Sequence, residues 1–140
     1  MALMTWNGNK YSVGVEEVDN QHKTLMNILN EFHAATLKGK AKEIAATLIP
    51  RLIALAKEHF SAEEKLMESI HFSGLNAHRA KHLELAAKIA EFAVRHEKGD
   101  PTVYLEALYF VRDWQHQHMQ VEDQEYAAWL KSHPARQLVA

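Results

Sequence analysis

Residues 59 to 82 read HFSAEEKLMESIHFSGLNAHRAKH. This stretch holds two pairs of metal-binding side chains, His59 with Glu63 and His78 with His82, in a chain without cysteine. Residues four apart on an α-helix are rotated by only about 40° and stand one turn apart, so each pair projects from one face. Imidazole and carboxylate without thiolate suit iron, zinc, copper or nickel rather than an iron–sulfur cluster.

The overall composition narrows the class of protein. A chain of 140 residues is expected to form one domain, residues 1–140, with one core. The 16 basic and 18 acidic residues give a formal charge of −2, which offers no field for a phosphate backbone, so no nucleic-acid partner is expected. The first residues lack the pattern of a signal peptide, and no apolar run is long enough for a membrane span. These features predict a cytoplasmic protein without membrane insertion.

Two helices are predicted before the turn at residues 71–74. Residues 1–18 lack helical periodicity and predict an extended N-terminal arm anchored by Trp6. Apolar side chains at spacings of three and four then predict a helix over about 20–38, with Asp19 as its N-cap and Gly39 as its stop. A second helix is predicted over about 42–69, in which Pro50 produces a kink or marks the start of the main helix.

Two more helices are predicted after that turn, over about 75–98 and about 101–131. The break between them is Gly99-Asp100-Pro101, with Asp100 as N-cap and Pro101 at the first helical position. Four amphipathic helices with short links predict an all-α, up-down-up-down four-helix bundle over residues 19–131, followed by a C-terminal tail at 132–140. This topology carries histidines of all four helices to one end of the bundle: His22, His59, His78, His82 and His118.

With these residues in place, the sequence resembles the hemerythrin family, and most closely its single-domain bacterial branch. The resemblance rests on Trp6, the run from Val13 to His22, and three spaced motifs, which are His59-Phe60-x-x-Glu63-Glu64, His78-x-x-x-His82 and Trp114-x-x-x-His118-x-x-x-x-Asp123-x-x-Tyr126. The resemblance implies two iron ions joined by an oxo or hydroxo bridge. One iron would be held by His78, His82 and His118, the other by His22 and His59, and both would be bridged by Glu63 and Asp123.

The function implied by this resemblance is reversible binding of dioxygen for transport, storage or delivery, without enzymatic turnover. An oxygen-consuming acceptor protein is an expected partner, and a monomer is the expected state. Three alternatives stay open: a redox enzyme of the peroxidase or nitric oxide reducing kind, an oxygen or redox sensor, and a zinc-stapled bundle. Zinc prefers four ligands, so seven convergent ligands disfavour the last of these.

The oxygen pocket is expected to include Phe60 and Trp114 as apolar walls. Two positions depart from the family pattern, since Gln115 replaces leucine and Met119 replaces isoleucine. The amide of Gln115 is expected to stabilise water or reduced oxygen and so to speed autoxidation, whereas Met119 is neutral filling. The ligand Asp123 is awkward for a regular helix, because it lies five residues after His118. Spacing alone favours Glu122, unless a π-bulge or a reach across the helix presents Asp123.

Five further histidines fall outside this set, and solvated or locally hydrogen-bonded side chains are expected for all of them: His33, His71, His96, His116 and His133. Two sequence pairs, Glu68 with His71 and Asp113 with His116, imitate the carboxylate-x-x-histidine spacing of ferritin-like di-iron proteins. Because these pairs flank a turn or lie off the apolar stripe, they are predicted to be coincidental.

Overall fold

A computed structural model describes residues 2–132, and within that range the chain is helical, with no strand. The all-α class predicted from the sequence is therefore confirmed. None of the described helices combines the length and the apolar character that crossing a membrane requires. In chain order the helices are α1 (Gly8–Tyr11), α2 (Glu16–Leu37), α3 (Ala41–Ser69), α4 (Leu75–Glu97), α5 (Val103–Gln117), a π-helical segment (His118–Glu122) and α6 (Asp123–Ser132).

The long helices form a closed bundle around an apolar core. Helix α2 packs on α3 and α5, and helix α4 packs on the same two partners. The main core cluster consists of aliphatic and aromatic side chains, which include Leu29, Leu48 and Leu108. A smaller cluster joins Val13 and Val18 to Met67 and Tyr126.

The first long helix begins earlier than predicted. Its N-cap is Val15, which makes no side-chain capping bond, so the prediction of Asp19 as N-cap was wrong. The Asp19 carboxylate instead accepts hydrogen bonds from the Ser12 hydroxyl at 2.6 Å and the Val13 amide at 3.0 Å. Asp19 thus lies in the first helical turn, where a negative charge is favoured, and fastens the N-terminal segment to that turn.

The N-terminal arm is not extended throughout, because residues 8 to 11 form the single helical turn α1. Asn7 caps this turn by accepting a hydrogen bond from the Asn9 amide at 3.0 Å. Trp6 packs against the main core cluster, with its ring centroid 5.8 Å from that of Tyr11 and the Lys23 ammonium 5.1 Å above its ring. The predicted anchoring role of Trp6 agrees with these contacts.

Helix α3 continues through Pro50, so the main helix does not start there. Gly39 has φ +70°, a left-handed conformation that glycine adopts without strain, and ends α2 where predicted. The start of α5 was predicted wrongly. Its N-cap is Thr102, and Asp100 accepts hydrogen bonds from the Thr102 amide and hydroxyl at 2.9 and 2.7 Å. This local turn keeps Pro101 outside the helix.

Helix α5, the π-helical segment and α6 follow one another directly and together form the fourth long helix of the bundle. The π-helical segment is one of the two ways in which Asp123 was expected to be presented. The wider turn changes the register of the helix, and Val121 within it is 44% exposed. Helix α6 then runs to Ser132. The rest of the predicted tail, residues 133–140, lies outside the described residues, as does His133.

Candidate metal centre

All seven side chains predicted as metal ligands meet in the interior of the bundle. His22 comes from the early part of α2, His59 and Glu63 from α3, and His78 and His82 from the first turns of α4. The π-helical segment contributes His118, and the start of α6 contributes Asp123. Each of the seven is 4% exposed or less: His22, His59, Glu63, His78, His82, His118 and Asp123.

The Glu63 carboxylate stands between two groups of histidines. Its Oε1 lies 3.0 Å from the Nε2 of His78 and 2.9 Å from the Nε2 of His82. Its Oε2 points to the other side and lies 3.6 Å from the Nε2 atoms of both His22 and His59. One carboxylate therefore presents one oxygen to each group.

Asp123 repeats this arrangement from the fourth long helix. Its Oδ1 lies 3.0 Å from the Nε2 atoms of His78 and His118, and its Oδ2 lies 3.1 Å from the Nε2 of His22. The ligand atoms form two sets, and Glu63 belongs to both. Within each set, all ligand atoms lie within 4.8 Å of one another. The first set comprises Glu63, His78, His82 and His118, and the second comprises His22, His59, Glu63 and Asp123.

Several polar atoms at the centre of this cluster lie close to one another but make no hydrogen bond of acceptable geometry. They are fully buried and include the Nε2 atoms of His22 and His59 and both carboxylate oxygens of Asp123. A buried polar atom without a partner costs about 1–3 kcal/mol, and more when it is charged. Because these atoms are all lone-pair donors facing one another, cations between them would satisfy the whole set. The donor atoms thus fit a metal centre.

The π-helical segment explains why Asp123, rather than Glu122, joins the cluster. Five residues on a regular helix turn through about 140°, which would aim Asp123 away from His118. The wider π turn brings the two side chains to one face. Glu122 instead lies beside the outer nitrogen of the ring, with its Oε1 3.5 Å from the Nδ1 of His118.

Three side chains that were not predicted as site residues hold the cluster in position. Gln21 Oε1 lies 2.8 Å from the Nδ1 of His59, and Glu64 Oε2 lies 2.8 Å from the Nδ1 of His82. The Tyr126 hydroxyl donates to Glu63 Oε2 at 2.8 Å. A hydrogen bond at Nδ1 fixes the tautomer that leaves Nε2 available as a metal ligand.

These positioning residues were missed because their spacing gave no signal. Gln21 and Glu64 directly precede or follow a ligand, and neighbouring helical residues point about 100° apart. Each reaches the outer nitrogen of an imidazole that another helix contributes, which is His82 for Glu64 and His59 for Gln21. Only the position of such residues beside a ligand could have drawn attention to them.

The electrostatics of the metal-free cluster are governed by burial and the two carboxylates. Burial alone would lower the pKa of His22 and His78, but Asp123 and Glu63 raise it to about 9 in both. The same balance raises the pKa of His118 to about 10. Burial wins at His59 and lowers its pKa to about 4. The two buried carboxylates thus favour the protonated form of His22, His78 and His118 when no metal is bound.

A cavity of about 20 Å³ adjoins the cluster. It is lined by all four side chains predicted for the oxygen pocket, which are Phe60, Trp114, Gln115 and Met119. The Phe60 ring stacks on His82 with centroids 4.0 Å apart, and the Trp114 ring stacks on His118 at 4.4 Å. The Gln115 amide nitrogen lies 3.4 Å from the carbonyl oxygen of His22, and Met119 is fully buried. This volume is enough for one molecule of the size of water.

The remaining described histidines do not reach the cluster. His116 is hydrogen-bonded to the Tyr11 hydroxyl at 2.8 Å, and His96 to the Tyr104 hydroxyl at the same distance. His33 is half-buried and His71 is exposed. The pairs Glu68 with His71 and Asp113 with His116 are exposed and belong to neither set of ligand atoms.

Comparison with known proteins assigns this fold and cluster to a family. Residues 13–130 match the family model of the hemerythrin HHE cation binding domain. The chain belongs to the hemerythrin family. Among its hemerythrin relatives, the bacteriohemerythrin of Methylococcus capsulatus is 32% identical over 132 residues, which cover 94% of this chain and 100% of that protein. The bacteriohemerythrin of Stenotrophomonas maltophilia is 27% identical and covers 95% and 85% of the two chains.

Solved hemerythrin structures have the same fold. The crystal structure of wild-type hemerythrin superimposes with a TM-score of 0.83 at 29% identity, covering 91% of this chain and 97% of that chain. A leucine-to-alanine mutant of hemerythrin gives a TM-score of 0.84 at 30% identity with the same coverage. The family and the buried donor set together establish a helical hemerythrin domain with a cluster able to hold metal ions.

Proposed function

We propose that this hemerythrin-family chain binds dioxygen reversibly at a pair of iron ions. The observation that carries the proposal is the double bridge, because Glu63 and Asp123 each direct one oxygen toward each group of histidines. Two shared carboxylates between two nitrogen-rich groups suit two metal ions held close together. Imidazole and carboxylate donors suit iron.

In this assignment, the metals differ in the number of histidines that hold them. His78, His82 and His118 would hold one iron, and His22 and His59 would hold the other, with Glu63 and Asp123 bridging. The cavity supports an open position on the second iron. His22 and His59 both line the cavity, whereas His118 is the only histidine of the other group that does so.

A ferrous pair, when bound, would supply the electrons and the open coordination position for dioxygen. The chain supplies the surroundings. Five neutral imidazoles and two carboxylates leave the centre less anionic than a carboxylate-rich one, which favours release of oxygen over further oxidation. Phe60 and Trp114 cover the imidazoles of His82 and His118 and exclude water from them.

Several finer features belong to the same proposal. The four long helices would run up, down, up and down, in a single domain over residues 1–140. A role in oxygen transport, storage or delivery, an oxygen-consuming acceptor protein, the monomeric state and the cytoplasmic location remain predictions from the sequence.

The test is an anaerobic titration of the purified protein. Iron per chain is measured first, and optical spectra of the reduced form are then recorded before oxygen, after oxygen and after degassing. Two irons per chain with a visible band that appears with oxygen and disappears on degassing are the expected result. The proposal fails if the reduced protein passes directly to a stable ferric form, or if the chain retains zinc instead of iron.

A second candidate is redox turnover at the same centre, by a peroxidase or nitric oxide reducing reaction. The observation that favours it is the Gln115 amide, which lines the cavity among apolar side chains and histidines. A direct and irreversible passage to the ferric form in the titration would favour this candidate. Addition of peroxide or nitric oxide to the reduced protein would then identify the substrate by the rate at which each is consumed.

A further inference from the structure

A second cavity lies within the main core cluster. It has a volume of about 30 Å³, which exceeds the roughly 10–15 Å³ that a cavity needs to hold one molecule of the size of water. All four long helices contribute to its lining, through residues such as Ile28, Leu48, Ile89 and Leu108. None of the proposed metal ligands lines it.

The lining of this cavity offers no partner for water. Its side chains are aliphatic or aromatic, and the one hydroxyl among them, that of Tyr104, is hydrogen-bonded to His96 at 2.8 Å. A water molecule needs two to four polar partners in a buried site, and apolar cavities of adequate size stay dry and take up apolar molecules instead. A small apolar gas loses no hydrogen bonds on entering such a space.

The cavity adjoins the oxygen pocket. Leu52 and Val111 line both spaces, so a single layer of side chains separates them. We propose that the second cavity is a docking site for an uncharged diatomic gas, and that it holds dioxygen one side-chain layer away from the pocket at the metal centre. The choice of dioxygen among such gases rests on the proposed function, whereas the uptake of gas by the cavity does not.

The test uses the oxidised, iron-loaded protein, whose metal centre has no ferrous electrons to give to dioxygen. Methyl relaxation is measured by NMR under dioxygen, which is paramagnetic, and under dinitrogen at the same pressure. The methyl groups of Ile28, Leu48 and Leu108 are expected to show an enhancement several times that of Val18 and Ile70. These two reference residues are equally buried but line neither space.

Two outcomes overturn the proposal. One is an enhancement that is equal at all buried methyl groups, since this reports only the general solubility of oxygen in a core. The other is an enhancement that is largest at exposed side chains such as Leu37 and Leu83. Neither outcome bears on reversible binding at the irons, which the anaerobic titration tests separately.

A pair of variants locates the site. Ala107 lines the cavity and is half-buried, so Ala107→Leu adds volume to its wall. Ala93 is also half-buried on the neighbouring helix but does not line the cavity, and Ala93→Leu is the matched control. The enhancement at Leu108 and Ile89 is expected to be lost in Ala107→Leu and kept in Ala93→Leu. Equal enhancement in the two variants contradicts the assignment to this cavity.

Discussion

Gln115 gives the cavity beside the metal centre a hydrogen-bonding group that its other non-histidine walls lack, apart from the indole of Trp114. Its amide makes only a long contact of 3.4 Å with the carbonyl oxygen of His22. An amide held this loosely can turn toward a polar guest at little cost, because it gives up a weak bond. Water or reduced oxygen is thereby stabilised in the pocket relative to neutral dioxygen.

The variant Gln115→Leu is expected to autoxidise more slowly than the wild-type chain. One hydrogen bond contributes about 0.5–1.5 kcal/mol, which corresponds to a rate lower by roughly 2- to 13-fold. The measurement is the decay of the oxygenated form in air, followed optically. Met119→Leu is the control, because Met119 lines the same cavity without a strong polar group, and it should leave the rate unchanged. Equal or faster decay in Gln115→Leu contradicts the role of the amide.

Glu64 holds the outer nitrogen of His82 and should therefore influence metal retention without binding metal itself. The variant Glu64→Gln loses a charged acceptor, and the expected loss of iron affinity is about 10- to 100-fold, as for other residues that orient metal ligands. The measurement is the rate of iron loss to a chelator. Glu68→Gln, on the exposed face of the same helix, is the control. If both variants lose iron at the wild-type rate, Glu64 has no positioning role.

Six of the seven buried donors could be anticipated from helical spacing and histidine chemistry, whereas Asp123 was expected only from the family pattern, because spacing alone favoured Glu122. The residues that orient them could not, since Gln21, Glu64 and Tyr126 act across helices on atoms whose positions only packing defines. Gln115 drew attention only because it departs from the family pattern. Its contact with a backbone carbonyl of another helix had no signal in the sequence.

At the scale of helices, the π-helical segment is the feature that regular spacing could not give. It adds one residue to a turn and so lets His118 and Asp123 share a face at a separation of five. The helix that follows keeps the register that Tyr126 needs to reach Glu63. Helix ends were likewise misplaced where an aspartate had an alternative to capping, as at Asp19 and Asp100.

Deletion of Gln120 is expected to turn the π segment into regular α-helix and to keep the metal site. Gln120 is exposed, and its removal leaves His118 and the aspartate four residues apart, which is one α-helical turn. Iron per chain should stay at the wild-type value, with an equal or greater free energy of unfolding. Deletion of Glu125, an exposed residue of regular helix, is the control and should weaken iron binding, because it rotates Tyr126, which donates to Glu63, by about 100°. A folded Gln120-deleted chain without iron contradicts this account.

At the scale of the whole molecule, the bundle buries two carboxylates and five imidazoles at one level of its core. Such a core is stable only when the negative charge is compensated. In the metal-free chain, the raised pKa values of His22, His78 and His118 are expected to keep these imidazoles protonated and so to compensate the carboxylates, and in the loaded chain the metal ions would replace these protons. Metal binding at neutral pH is therefore expected to release protons.

The stability of the metal-free protein should consequently fall as the pH rises from 6.5 to 10. The folded-state pKa values of His22 and His78 are about 9 and that of His118 is about 10, all above the ordinary value of 6.5. Their stabilising contribution is complete below pH 6.5 and is lost as the pH rises through 9 to 10, by an amount on the order of several kcal/mol. Urea unfolding with a chelator present measures it.

The iron-loaded protein is the control for this pH dependence. Metal ligands are already deprotonated, so its free energy of unfolding should change little between pH 6.5 and 10. The lowered pKa of His59 does not interfere, because a value of about 4 affects stability only below pH 6.5. Stability of the metal-free chain that stays level or rises over this range would mean that the three imidazoles are neutral when the metal is absent, and that the carboxylates are compensated in another way.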